Sequence, residues 1–207
     1  MVSAYSDLRY RGVSLSDGRP VGILDLSYDA SNGLYAALSG SLVASREGLR
    51  PLGLTVNGGY ATKVGRDLSA DIGVAHWRYS QYSGVPTGRT YSEIYAGLSG
   101  EYVGARFSLS PDYIGKARWT LHGEINGRAD LTTRLYADGA LGVLLPLSGY
   151  GTSGCRHGFW DARLGLSQRL GRITLHGALS ARGRNSNVYG NWGRRRVALS
   201  LGVSAPL

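Results

Sequence analysis

RLYADGALGV, residues 134–143, looks apolar enough to be a core strand, yet it carries Arg134 and Asp138. Successive side chains of a strand point to opposite faces. One parity reads Arg134, Tyr136, Asp138, Ala140, Gly142, and the other reads Leu135, Ala137, Gly139, Leu141, Val143. A strand here has one face with both charges and one face with none. What the charged face looks at decides the fold.

The same division runs along the whole chain, and helical periodicity is nearly absent. In 90–99, Ile94, Ala96 and Leu98 oppose Tyr91, Glu93 and Tyr95; in 118–126, Trp119, Leu121 and Ile125 oppose His122 and Glu124. Read this way, the sequence predicts strands over 3–12, 20–29, 34–43, 52–60, 68–77, 90–99, 103–110, 118–126, 134–143, 160–168, 172–181 and 195–203. Residues 52–60 place Leu52, Leu54, Val56 and Tyr60 on one face, whereas 34–43 is too uniformly small and apolar for its faces to be assigned. Connections alternate in length: longer near 14–20, 45–51, 80–89, 110–117, 144–157 and 183–194, shorter near 30–33, 62–67, 99–102, 127–132 and 169–172. An up-and-down antiparallel meander, with both termini at the short-turn end, produces that pattern.

Alternation suits a soluble barrel and a transmembrane barrel equally, because the second only inverts the faces. Composition separates them. The polar parity is rich in Gly, Ser, Thr and Tyr, and Lys63 and Lys116 are the only lysines, whereas a solvated surface carries many. The apolar parity mixes Leu, Val, Ala, Gly and aromatics of uneven size, as a fluid lipid contact allows. The segments have the length needed to cross a hydrocarbon core when tilted, about 9–11 residues. On the polar parity, Asp7, Asp25, Asp71, Glu93, Glu124, Asp138 and Asp161 face Arg9, Arg11, Arg106, Arg118, Arg134 and Arg163, with His122 and His176 among them. A dry core tolerates such charges only when each is paired; a hydrated lumen accommodates them as arginine–carboxylate ladders. The predicted fold is therefore all-β: one antiparallel up-and-down transmembrane β-barrel of about 12 strands. It occupies 1–207 as a single domain of the bacterial outer membrane, with long extracellular loops and short periplasmic turns.

Other classes recede. The net charge of +9 comes almost wholly from arginine, but the arginines are dispersed and the densest run, Arg194-Arg195-Arg196, has three residues, so nucleic acid is not an expected partner. Cys155 is the sole cysteine and has no partner for a disulfide or a metal-spaced cluster, and no cofactor is expected. No apolar run reaches the roughly 18 residues of a transmembrane helix. Met1 leads directly into polar sequence, so an exported chain would be a mature form without its signal peptide.

SDLRYRGVSLSDGRPVGILDLSYD followed by GLYAALSGS (6–41) resembles the opening of the TorF family of porin-like proteins, with its S-D-x-x-Y-R-G-x-S-x-S-D start. EIYAGLSG (93–100) and FSLSPDYIG (107–115) are similar to that family's glutamate-bearing strand and its Ser-Pro-Asp-Tyr turn. The resemblance is good over about the first 115 residues. It implies an outer-membrane barrel of porin type. The chain departs from the usual aromatic ending of outer-membrane strands, since it finishes VSAPL.

Three functions follow from such a barrel. The first is passive diffusion of small hydrophilic solutes through a narrow lumen lined by Arg9, Arg11, Asp25, Asp71, Glu93, Arg106, His122, Glu124, Arg134, Asp138, Asp161, Arg163 and His176. Basic loop ends, among them Arg46, Arg50, Arg89, Arg156, Arg182 and Arg184, would give a weak anion preference. The second is a structural or adhesive barrel whose long loops bind partners or fold inward. The third is a lipid-modifying hydrolase: His76 lies beside Arg78 on the lipid-facing parity, but no G-x-S-x-G elbow occurs. At the rim, Arg78, Arg194, Arg195 and Arg196 suit lipopolysaccharide phosphates, and Trp119, Trp160 and Trp192 suit an interfacial girdle. Trp77 falls on the inward parity, where it would cap the lumen. A monomer is expected.

Overall fold

A computed structural model describes residues 1–84, 90–115, 119–148, 158–183 and 196–207. In chain order its strands are β1 (Val2–Tyr5), β2 (Arg9–Tyr10), β3 (Val13–Ser14), β4 (Val21–Asp29), β5 (Leu34–Ser45), β6 (Gly48–Lys63) and β7 (Ser69–Tyr79). Then follow β8 (Thr90–Ser99), β9 (Val103–Ser110), β10 (Thr120–Asp130), β11 (Leu135–Pro146), β12 (Phe159–Leu170), β13 (Ile173–Arg182) and β14 (Val197–Ala205). All but β2 and β3 form one closed antiparallel barrel of 12 strands, which β1 seals by pairing with both β4 and β14. No described helix is long and apolar enough to cross a membrane.

The faces are inverted relative to a soluble barrel. Ile94 is 58% exposed, while its neighbours Glu93 and Tyr95 are 3% and 5% exposed. Ile72, Val74, Phe107, Ile125, Leu141, Leu164 and Leu199 repeat this outward exposure around the wall. Soluble monomers rarely expose contiguous apolar patches beyond a few hundred Å², so a belt of this extent calls for lipid. The segment that the sequence left open resolves the same way, with Leu34, Leu38 and Leu42 outward and Val43 inward.

Four expectations are corrected. The first strand does not run over 3–12: it stops at Tyr5, and residues 6–20 turn into the lumen. The long connection expected at 45–51 is a two-residue turn at Arg46-Glu47, so β5 and β6 extend well past their predicted ends. A register shift between Ser41 and Leu42 then changes the parity of Leu52, which becomes 1% exposed and packs with Val21 and Val43. An extra residue in one strand flips every side chain beyond it. Finally, Arg134 precedes β11 in the turn from β10, exposed at the short-turn mouth rather than on the inner wall.

Inside the wall, large side chains lie flat over glycines. Tyr35, Gly59, Gly73 and Tyr95 occupy one row across β5–β8. The two phenols meet over the glycines, hydroxyl to hydroxyl at 2.7 Å, and Tyr35 Oη donates to Asp71 Oδ2 at 3.1 Å. A Cβ on Gly73 would lie 2.5 Å from Tyr95 Oη. Gly73→Val should therefore destabilise the barrel by about 1–3 kcal/mol through overpacking, read as a lower denaturant midpoint for the heat-modifiable gel band. A Cβ there would also lie 2.6 Å from the Gly58 carbonyl oxygen, so adding Tyr95→Ala should restore only part of the loss; no rescue at all would mean that the backbone contact alone requires the glycine.

Candidate functional site: a lumen crossed by an N-terminal hairpin

Residues 6–20 build the site. Tyr10-Arg11-Gly12-Val13 joins β2 to β3 by a two-residue turn with positive φ at Arg11 (48°) and Gly12 (70°), the geometry that a tight hairpin demands. A second such turn follows at Asp17 (57°) and Gly18 (72°). Asp7 organises the interior of the hairpin. Its carboxylate accepts from Ser14 Oγ, from Ser16 Oγ at 2.9 Å and from Arg9 Nη1 at 2.9 Å. The Leu15 N–H donates to Leu8 O at 2.7 Å, and Gly84 N–H donates to Leu15 O at 2.7 Å, which ties the hairpin to the loop after β7.

The hairpin spans the lumen. On one side the Arg11 guanidinium grips Glu93 of β8 with two bonds, at 2.6 and 2.9 Å, both side chains almost wholly buried. Tyr10 and Tyr113 flank that guanidinium, with ring centroids 4.8 and 5.5 Å away. On the other side a Cβ on Gly12 would lie 2.8 Å from Arg182 Cβ and 3.2 Å from Asp161 Cβ, so only glycine lets the turn reach β12 and β13. Above the ion pair, Val13 and Leu15 pack with Tyr79, Tyr91, Tyr113, Ile114, Leu144 and Phe159. Trp77 stacks on Tyr91 at 4.6 Å and meets Tyr10 at 6.0 Å, so its indole holds the hairpin in place.

Between the hairpin and the short turns the lumen stays open as adjoining cavities of about 430 and 470 Å³. Asp71, Glu93, Arg106, His122 and Glu124 line the first, and Asp138, Asp161 and Arg163 line the second. Asp25 and His176 face a third space beside Arg9 and Arg163. Most of these charges are paired. Arg106 Nη2 bonds Asp71 at 3.2 Å, Arg163 bonds Asp138, and His122 Nε2 stands 3.4 Å from Asp161. His176 joins Ser167 and Ser204, at 2.9 and 2.8 Å. Of the residues expected in the lumen, Arg9 and Arg11 reach it from the hairpin rather than from the wall. Arg182, read only as a loop-end charge, is buried at the hairpin contact.

Outside, Arg78 is exposed opposite Thr90, Arg196 is exposed just before β14, and Trp119 and Trp160 point outward near the long-loop end. His76 is also outward, with Nδ1 2.9 Å from Ser92 Oγ on β8. Arg89, Arg118, Cys155, Arg156, Arg184, Trp192, Arg194 and Arg195 lie outside the described residues.

The fold has counterparts among solved structures. The NanC porin matches over 100% of both chains with TM-score 0.66 and 14% identity. The KdgM porin matches over 100% of this chain and 98% of its own, with TM-score 0.60 and 11% identity. Outer membrane phospholipase A from Escherichia coli matches over 99% and 88%, with TM-score 0.53 and 14% identity. At these identities the likeness is one of fold. No curated protein matches at the level of sequence. Residues 1–170 match the family described as "Bacterial protein of unknown function (Gcw_chp)", and the chain belongs to that family.

Proposed function

We propose that this protein is a porin-like channel of the outer membrane for passive diffusion of small hydrophilic solutes, with the 6–20 hairpin as its constriction. The carrying observation is the charge-lined space between the hairpin and the short turns, enclosed by a wall whose outer face is apolar. The fold shared with the NanC and KdgM porins supports the reading, as does the resemblance to the TorF family. A structure of KdgM described as a complex with disordered oligogalacturonate places an acidic saccharide with a barrel of this fold. The anion preference proposed here is weak, because the arginines inside the wall are already committed to carboxylates. It arises at the mouth, where Arg46, Arg78 and Arg196 stand at the long-loop end. The short turns would face the periplasm and the long loops the cell exterior, with lipopolysaccharide phosphates against the rim arginines and the barrel acting as a monomer.

His76 beside Ser92 on the lipid-facing wall is the specific observation for a second reading, a lipid hydrolase in which the imidazole activates the hydroxyl. On the channel reading, wild type and Ser92→Ala are equally inert toward phospholipid micelles. Hydrolysis by wild type that Ser92→Ala abolishes would favour the hydrolase.

The refolded protein in a planar bilayer under a salt gradient should give small, discrete openings with a slightly anion-selective reversal potential. Tyr5 and Val21 are register partners, so an Asn-Gly turn can replace 6–20 without opening the barrel; this variant should conduct several-fold more. Glu93→Gln leaves the Arg11 charge buried without its counter-ion, a loss of about 3–5 kcal/mol, and should also enlarge or multiply the openings. Silence from wild type and from the hairpin-replaced barrel, both folded by heat-modifiable mobility, would refute the channel.

A further inference from the structure

We infer that a divalent first-row transition ion binds on the lumen wall at His122, Glu124 and Asp161. This assignment does not depend on conduction. One row of inward positions runs across β7–β13: Asp71, Gly97, Arg106, Glu124, Gly142, Asp161, Arg182. Two glycines interrupt it. Across Gly97 an acid meets a base, and Asp71 reaches Arg106 over the bare position. Across Gly142 an acid meets an acid, Glu124 on β10 and Asp161 on β12, with His122 two residues from Glu124 on the same inner face. One atom from each of the three residues lies within 4.8 Å of the others.

The geometry of Gly142 is the second observation. A Cβ there would lie 2.7 Å from His122 Nε2 and 2.8 Å from Asp161 Oδ2, so the wall is left bare where the donor atoms converge. Metal–ligand bonds of about 2.0–2.2 Å place donors of one shell within roughly 4 Å of each other, slightly closer than the 4.8 Å span of these three.

Among the described residues, two neighbouring cations are committed elsewhere. Arg106, opposite Glu124, directs its guanidinium to Asp71 and over the Tyr95 ring at 4.5 Å. Arg163, two residues from Asp161, is bonded to Asp138. Glu124 accepts from the Asn126 amide at 3.5 Å. Two carboxylates and an imidazole therefore face one another, and a dication relieves their repulsion. The imidazole selects zinc, nickel or copper over calcium or magnesium. His122 and Asp161 are buried while Glu124 is partly open to the cavity, so an ion held here keeps a coordination position toward lumen water.

Equilibrium dialysis of the refolded barrel against zinc chloride tests the assignment, in a His76→Ala, Cys155→Ser, His157→Ala, His176→Ala background that removes the other imidazoles and the thiol. One zinc per barrel is expected. His122→Gln and Glu124→Gln should each weaken binding at least tenfold, and Gly142→Ala should do the same by filling the cradle. Each variant is scored on protein that retains heat-modifiable mobility. No saturable binding at one equivalent, or binding that Glu124→Gln and His122→Gln leave unchanged, would overturn the site.

Discussion

The diameter of a twelve-stranded wall constrains everything inside it. Eight strands enclose about what their own side chains fill, and sixteen leave an aqueous channel. Twelve enclose too much for side chains and too little for a wide pore. This chain divides the space by height. One half is occupied by a second piece of backbone, residues 6–20, whose Val13 and Leu15 form a packed core with inward aromatics. The other half holds cavities lined by charged side chains. The Arg11–Glu93 pair marks the boundary. A bidentate contact fixes the direction of approach as well as the distance, which a purely apolar hairpin inside an apolar collar would not do.

The stretches that carry the family resemblance converge on that boundary. Asp7, the Tyr10-Arg11-Gly12 turn and the Ser14 and Ser16 hydroxyls belong to the opening motif and make the hairpin. Glu93, from the glutamate-bearing strand, is the receptor for Arg11. Tyr113 and Ile114, from the Ser-Pro-Asp-Tyr turn, cover the ion pair and the hairpin's apolar face. Segments distant in sequence thus meet at one level of the barrel.

Alternation made the strands legible and composition told which face meets lipid, except over 34–43, where uniformly small and apolar residues left the faces unassigned. The hairpin was not legible by the same test. In 6–12 the residues Asp7, Arg9 and Arg11 alternate with Leu8 and Tyr10, as a wall strand would, since a hairpin inside a barrel also has one polar and one apolar face. Its signal lay in Arg11-Gly12 and Asp17-Gly18, two glycine turns too close together for a crossing strand. Leu52 failed for a different reason: a bulge changes register without changing composition. Arg134 failed at an element boundary, where one residue separates a wall position from a turn.

The glycine content follows from the same constraint on space. A narrow lumen holds tyrosines, arginines and carboxylates only if they lie along the wall, and a side chain can lie along the wall only where its neighbour has none. Gly59 and Gly73 take the Tyr35 and Tyr95 rings, Gly97 takes Asp71, and Gly165 takes Asp138. Each bare position brings together groups that strand spacing would keep apart, so the placement of glycines sets which charges pair. Where acid and base meet across the gap, the pair neutralises itself and offers little to a passing ion. Where acids meet across Gly142, charge is left over. Among the described residues, the wall thus pairs Asp71 with Arg106 and Asp138 with Arg163 across their glycines, and sets Glu124 and Asp161 facing each other across Gly142, directly beneath the hairpin turn.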